Sequence, residues 1–424
     1  MSPRDLAIDV VRRLRAAGFE ALWAGGCVRD QILGISPKDY DVATSALPEQ
    51  VRDVFGKRKT LAIGQSFGVI TVLGPKSAGQ IDVATFRRDA TYSDGRHPDS
   101  VSFTTAEQDA LRRDFTINGL FYDPVESRVI DYVGGQEDLR QGIVRAIGDP
   151  RQRIAEDKLR MLRAVRFASR FDFALDERTL AAIQEQAHEL VIVSAERIAA
   201  EMRQILTHKN RARGLQMLHS ARLLEIVMPE ALILSPDDPW SPESAADTPW
   251  RRTLHILHGL EEPTFAVALA ALIREIDITD PTVIDLPHRV YDRWKLKNDE
   301  LDGVVKLLAE EPLIRRASRL PWPRLQRILV APRCDELLTY CQAAAAVLDE
   351  STAEIDFCRQ KLALPTTELN PPPLITGDDL KQLGIPPGPA YREVLEAIRD
   401  AQLEKRITTR DEALALATQR RTTQ

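Results

Sequence analysis

A mixed α+β head followed by a long, almost wholly helical remainder is the architecture this sequence predicts, and three observations predict it. Up to about residue 148, short apolar runs are interleaved with helix-period stretches. From about residue 150 onward the helical period takes over. The 424 residues exceed what a single core serves, so two to four domains are expected.

The elements follow in order. "MSPRDLAIDVVRRLRAAGF" reads as an amphipathic helix closed by Gly18. Its charges run throughout, unlike a signal peptide or a membrane span. "ALWA" (21–24), "FGVITVL" (67–73) and "QIDVATF" (80–86) read as strands, and "PEQVRDVF" (48–55) as a helix. "AERIAAEMRQIL" (195–206) and "ARGLQMLHSARLLEIV" (212–227) have the period of helices that bury one face. "SPDDPWSPESAADTP" (235–249) and "PTTELNPPP" (365–373) read as breaks.

A formal net charge of −6 argues against a bulk nucleic-acid coat, whose grip is mostly electrostatic, but leaves room for a local basic cleft. Cys27, Cys334, Cys341 and Cys358 are scattered without a CxxC pair. That offers neither a disulfide framework nor a zinc site, and fits a reducing cytoplasm.

Four stretches carry chemistry. In "ALWAGGCVRDQILG", Gly25 and Gly26 stand between a strand and a helix, with Arg29 and Asp30 just beyond. Glycines there let backbone approach a ligand, a helix N-terminus favours an anion, and Arg29 adds a fork for phosphate oxygens. A plain strand–helix turn is the alternative. In "SPKDYDVATS", Asp39 and Asp41 are two apart and share a side if the segment is extended. Paired carboxylates repel unless a cation such as Mg²⁺, shared with substrate phosphates, neutralises them. Solvated acids on an edge strand are the alternative. Asp82 is a candidate third carboxylate, or a partner for Arg87 or Arg88. "LRRDFTING" supplies Arg112, Arg113, Asp114 and Asn118, a set suited to a triphosphate and a ribose hydroxyl, or to a surface ion-pair cluster. In "EDKLRMLRAVRF" (156–167), Asp157 heads Arg160, Arg163 and Arg166 at intervals of three, neighbouring positions if the segment is helical.

Taken in this order, GG-x-V-R-D, D-x-D, R-R-D-F-T-x-N and E-D-x-x-R-x-x-R-A-x-R-F resemble the bacterial (class II) tRNA nucleotidyltransferase and poly(A) polymerase family. The resemblance runs from residue 22 to about 206. It includes "YSDGRHPDSVSF" (92–103), "VIDYVGGQEDL" (129–139) and "SAERIAAEMRQIL" (194–206).

It implies a polymerase-β-like nucleotidyltransferase head (1–148) and an all-α neck (149–230), body (231–365) and tail (366–424). Asp39 and Asp41 would bind two Mg²⁺, and Asp82 stands where the family carries its third acid. Gly26 and Arg29 would hold the triphosphate, and Arg113, Asp114 and Asn118 the nucleotide and ribose. Asp157 would accept from an exocyclic amine and Arg160 donate to a ring acceptor, which selects CTP and ATP over UTP and GTP. Arg163 and Arg166 would reach phosphates. The implied partner is tRNA, gripped at its acceptor end and elbow by shape and backbone contacts.

Three products occur in such a family: CCA, part of it, or poly(A). "LAIGQSFGVITV" (61–72) follows the CCA-adding pattern, "DGRHPD" resembles the loop associated with adding the terminal A, which CC-only enzymes lack, and no "GRRF"-like run is present. An A-adding specialist shares these motifs, and an inactive RNA-binding relative is the alternative from another class. In the body, Arg252 and Arg274-Glu275 stand where an HD phosphohydrolase-like domain carries metal-binding His and His-Asp, so no phosphohydrolase activity is expected. His255 and His258 are assigned to packing or the surface.

Overall fold

The computed structural model describes residues 1–64, 67–89, 101–234, 248–279, 285–384 and 389–421. Most of "YSDGRHPDSVSF" and of the break at 235–249 therefore lies outside the described residues. Two compact units are formed: residues 1–232 with 293–295, and residues 233–292 with 296–424.

In the first unit, helix α1 (Pro3–Ala16) is capped by Ser2 and buries Leu6, Ala7, Val10, Val11 and Leu14, the i, i+3, i+4 stripe of an amphipathic helix. Next come strand β1 (Ala21–Ala24), helix α2 (Gly26–Ile32), strand β2 (Asp41–Thr44) and helix α3 (Pro48–Phe55). Strands β3 (Thr60–Leu61), β4 (Val69–Leu73) and β5 (Gln80–Thr85) precede a small hairpin of β6 (Arg87–Asp89) and β7 (Val101–Phe103). Helix α4 (Ala106–Leu111) leads to β8 (Phe121–Asp123), β9 (Arg128–Ile130) and helix α5 (Gly135–Gln141).

One seven-stranded sheet results, in the order β3-β4-β5-β2-β1-β8-β9. Its strands pair antiparallel except β2 and β5, which run parallel and set Asp41 opposite Asp82. Strand β1 is buried throughout, as a central strand must be, and Trp23 packs between Tyr40 and Tyr122. The sheet core continues through Leu22, Ala43, Phe86, Ala110 and Phe121.

Helix α6 (Pro150–Glu156) and helix α7 (Arg160–Phe171) follow, and α7 buries Met161, Leu162, Val165 and Phe167. It packs on α9 (Ala195–Thr207) and α10 (Arg211–Ser220), which come after α8 (Glu177–Gln186).

Two expectations need correction. The run 212–227 is not one helix: α10 stops at Ser220, Arg222 takes a left-handed φ of 57°, and a short helix resumes at Leu224–Val227. The break at 365–373 contains a one-turn helix, Thr366–Leu369.

The second unit is helical among its described residues. A cluster of Ile375, Leu380, Val394, Ile398, Ala413 and Ala417 forms the core of its C-terminal part. Arg252 and Arg274 both pair with Glu275, and Arg274 also donates to Glu311 at 3.2 Å, so these residues form one buried ion network. His255 and His258 are both exposed. No helix among the described residues is long and apolar enough to cross a membrane.

Candidate active site

One cleft of about 550 Å³ in the first unit gathers every residue named above as a candidate nucleotide or metal ligand except Asp30, Asp39 and Asp82. Among the described residues eight arginines and three aspartates line it, so the cleft is built for an anion in a chain that is acidic overall.

The glycine turn forms one wall. Gly25 precedes α2 with φ 73° and ψ −126°, a region open essentially to glycine alone, and an added Cβ would lie 2.8 Å from Arg113 Nη1. Arg29, expected as a phosphate fork, is buried. Its Nε and Nη2 donate to Asp30 Oδ1 at 2.9 and 2.7 Å, and its Nη1 to Asn118 Oδ1 at 2.5 Å. As built, Arg29 braces Asn118, with its guanidinium over the rings of Phe167 and Phe171.

At the floor stands Asp41, the first residue of β2. Asp39 lies in the bend before that strand, and Tyr40 and Val42 are buried on either side of Asp41. Asp82 faces Asp41 across the parallel pair and accepts a hydrogen bond from Thr71 Oγ1 at 2.6 Å. Desolvation, then the negative charge of Asp82, raise the Asp41 carboxyl above the usual range; Asp39 adds to this and Arg113 opposes it.

Beside it, Asp109 is 1% exposed and grips two arginines: Arg112 Nε and Nη2 donate at 2.9 and 2.7 Å, and Arg113 Nη2 at 2.9 Å. Burial would raise this carboxyl, but Arg113 and Arg112 outweigh burial and hold it low. Arg113 also donates to the Asn118 carbonyl, so among the described residues three of its five N–H groups are engaged and two remain for a ligand.

Asp114 is the hub of the opposite wall. Oδ1 accepts from Phe115 N at 2.8 Å and Asn118 Nδ2 at 3.0 Å, while Oδ2 accepts from Arg163 Nε at 2.9 Å and Nη2 at 2.6 Å. Burial pushes its pKa up, yet Arg163 and these hydrogen bonds bring it to about 2. The segment is held from behind. Asp131 accepts from four successive backbone N–H groups (133–136) at the start of α5, and Thr116 Oγ1 donates to Asp138 of α5 at 2.6 Å. A Cβ on Gly135 would fall 2.2 Å from the Thr116 carbonyl oxygen, which is why glycine stands there.

The arginine ladder is not one helix headed by Asp157. Asp157 sits between α6 and α7 in extended conformation, φ −148° and ψ 105°. Its Oδ1 accepts from Leu159 N at 3.0 Å, and its Oδ2 from Arg197 Nη2 of α9 at 2.7 Å. Arg160, the first residue of α7, is tethered by Nη1 to the Arg153 carbonyl at 2.6 Å and to Glu156. Arg163 reaches Asp114, as described. Arg166, expected to reach phosphates, lines the cleft but gives its Nε to Glu201 at 2.5 Å.

The sequence reading missed Arg87, Phe167 and Arg170 as cleft residues, and passed over Asp109, Arg197 and Glu201. Two signals were available. Arg170 extends the ladder four residues past Arg166, and Asp109 precedes Arg112 and Arg113 by three and four on one helical turn. Arg197 and Glu201 lie 40 and 35 residues from their partners, beyond any local pattern.

A mixed sheet with a carboxylate pair on its parallel strands, walled by arginines, defines a polymerase-β-like nucleotidyltransferase head. Known proteins agree. Residues 21–145 match the poly A polymerase head domain, and residues 172–233 match the probable RNA and SrmB-binding site of polymerase A. A CCA-adding enzyme of Lacticaseibacillus paracasei is 32% identical over 411 residues, 95% of this chain and 91% of that protein. One of Ligilactobacillus salivarius is 42% identical over 211 residues, a match that spans about half the length of either protein (50% and 51%). The solved CCA-adding enzyme of Bacillus stearothermophilus in complex with CTP superposes with a TM-score of 0.74 at 27% identity, covering 100% of this chain and 98% of that one. The chain belongs to the family of CCA-adding enzymes and bacterial poly(A) polymerases.

Proposed function

We propose that this chain is a template-independent nucleotidyltransferase that adds CCA to the 3′ ends of tRNA from CTP and ATP, releasing pyrophosphate. The observation that carries it is the arginine-walled cleft with Asp41 on its floor, opposite Asp82, and with Asp157 and Arg160 on its wall. Long relatives named as CCA-adding enzymes, one of them solved with CTP, support the choice of product.

The donor set fits magnesium. Asp39, Asp41 and Asp82 offer hard oxygen ligands, and the mutual repulsion felt by Asp41 is relieved by a cation. Among the described residues no three such groups converge into a closed metal nest. Asp41 and Asp82, opposed across β2 and β5, are the pair brought together, so an ion here would be held by one or two carboxylates together with substrate phosphates. Asp39 and Asp41, with Asp82 beside them, would hold two Mg²⁺; when bound, these ions supply acidification of the attacking 3′-hydroxyl and charge neutralisation at the leaving phosphates.

The chain's own side chains do the rest. Arg112 and Arg113, fixed by Asp109, meet the triphosphate without having to reorganise. Asp157, held by Arg197, offers only acceptors, and Arg160 offers only donors. Side by side they match an amine next to a ring acceptor, the edge shared by cytosine and adenine. The four-part division into head, neck, body and tail, tRNA contact along the helical parts, and a cytoplasmic location complete the proposal.

The test is incorporation of labelled CTP or ATP, with Mg²⁺, into tRNA lacking CCA, tRNA ending in CC, and oligo(A). C addition followed by a single A on tRNA is expected. Long A tails on any RNA would make the chain a poly(A) polymerase, and no incorporation would make it a binding protein.

A further inference from the structure

The open face of the sheet continues beyond the carboxylates. Leu61 lies opposite Thr71, Thr71 opposite Asp82, and Asp82 opposite Asp41. Directly opposed residues project to the same face, so these four side chains form one row across β3, β4, β5 and β2. At about 4.8 Å between strands the row is about 14 Å long. Asp41, Asp82 and Leu61 are exposed and Thr71 is half-buried, so the row is accessible from end to end.

The row ends at β3, an edge of the sheet. Just before β3 come Lys57, Arg58 and Lys59, all exposed and in no ion pair among the described residues. Just after it comes Ile63, 89% exposed. Asp53, four residues before Lys57, is the nearest acid in sequence and leaves the run strongly positive. A run of charges is ordinarily a solvated surface. This one is set apart by its position: it abuts exposed apolar side chains at the open end of a row whose other end is Asp41. Cations for the backbone beside apolar surface for bases are what a single-stranded nucleic acid requires.

We propose that this sheet edge receives the RNA primer just upstream of its 3′-hydroxyl, with Lys57, Arg58 and Lys59 on its phosphates and Leu61 and Ile63 against its bases. At about 3.4 Å per nucleotide in a stacked strand, 14 Å reaches about the fourth nucleotide from the end. The inference rests on the proposed nucleotidyltransferase function and adds to it the path of the primer.

The test uses the full chain carrying Lys57→Ala, Arg58→Ala and Lys59→Ala together, with tRNA ending in CC, whose 3′ end is single-stranded, as the binding probe and Kd measured across a salt series. Three lost phosphate contacts should lower the slope of log Kd against log salt by about 2 to 3. Kd should rise at least about tenfold at moderate salt, with KM for CTP unchanged. Lys57→Arg with Lys59→Arg should restore binding, and Ile63→Ser should weaken it with the salt slope intact. An unchanged slope and Kd in the triple-alanine variant would overturn the inference, as would an equal shift in KM for CTP. Nucleotide incorporation by the unaltered protein separates the two claims. If it incorporates CTP and ATP while the slope is unmoved, the primer path alone fails. If it incorporates neither nucleotide, the functional reading fails.

Discussion

Asp114→Asn tests the wall of the cleft most directly. The carboxylate accepts four hydrogen bonds, two of them from the Arg163 guanidinium. An asparagine can keep those from Phe115 N and Asn118 Nδ2, but its amide then faces the two Arg163 donors. Asp114 is held at about 2 against an ordinary value of 3.8, and that depression corresponds to about 2.4 kcal/mol at neutral pH. Because Arg163 is about one-third exposed, it can turn to solvent, so the cost should stay near this figure, below the 3–5 kcal/mol of a fully buried broken pair. The sign follows from linkage. The folded pKa is depressed, so the contribution is complete above the unfolded pKa and is lost as pH falls toward 2. By pH 3 it should have shrunk to about 1.3 kcal/mol. Native-state hydrogen exchange of the amides in β1, β2 and β8 reads the stability of this unit in both proteins. A difference under about 0.5 kcal/mol at pH 7, or one that does not narrow between pH 5 and pH 3, would refute the argument.

Three further outcomes are expected. Asp41→Ala should abolish nucleotide transfer while RNA binding, measured by filter retention, stays within about twofold, a shift of only about 0.4 kcal/mol; retained transfer would remove Asp41 from the chemistry. Gly25→Ala places a Cβ against Arg113 in a backbone region closed to alanine, so stability should fall by about 1–3 kcal/mol and KM for both nucleotides should rise. Wild-type melting and KM would show that the turn tolerates a side chain. Arg160→Ala should raise UTP and GTP incorporation relative to CTP and ATP, with little change in tRNA affinity; unaltered discrimination would separate Arg160 from base choice.

Local chemistry carried most of the architecture. The strands at 21–24 and 80–85, the helix at 48–55 and the helix from 195 stand where apolar period placed them, because each buries one face or is buried throughout. The failure at 212–227 has a local cause that period does not register. Apolar spacing persists through "HSARLLEIV", yet Arg222 leaves the helical region and the chain turns before Leu224.

At the site, residue types and their order identified the cleft: Gly25, Asp41, Arg113, Asp114, Asp157 and Arg160 all line it. Charge type and short spacing are properties of the chain alone, and they singled out these residues while leaving a plain turn, solvated acids or a surface ion-pair cluster as alternatives. What each arginine holds was settled by folding. Arg29 turns to Asn118, Arg163 to Asp114, Arg166 to Glu201 and Arg197 to Asp157, across separations of 89, 49, 35 and 40 residues. The physical reason is that a buried guanidinium must satisfy its N–H groups within reach, and the acids within reach are chosen by how the sheet and helices pack. The stretch from 156 to 167 shows the division most plainly. Its acids and arginines were legible at once, but only packing removed Asp157 from the helix, tied it to Arg197, and left Arg160 beside it at the edge of the cleft.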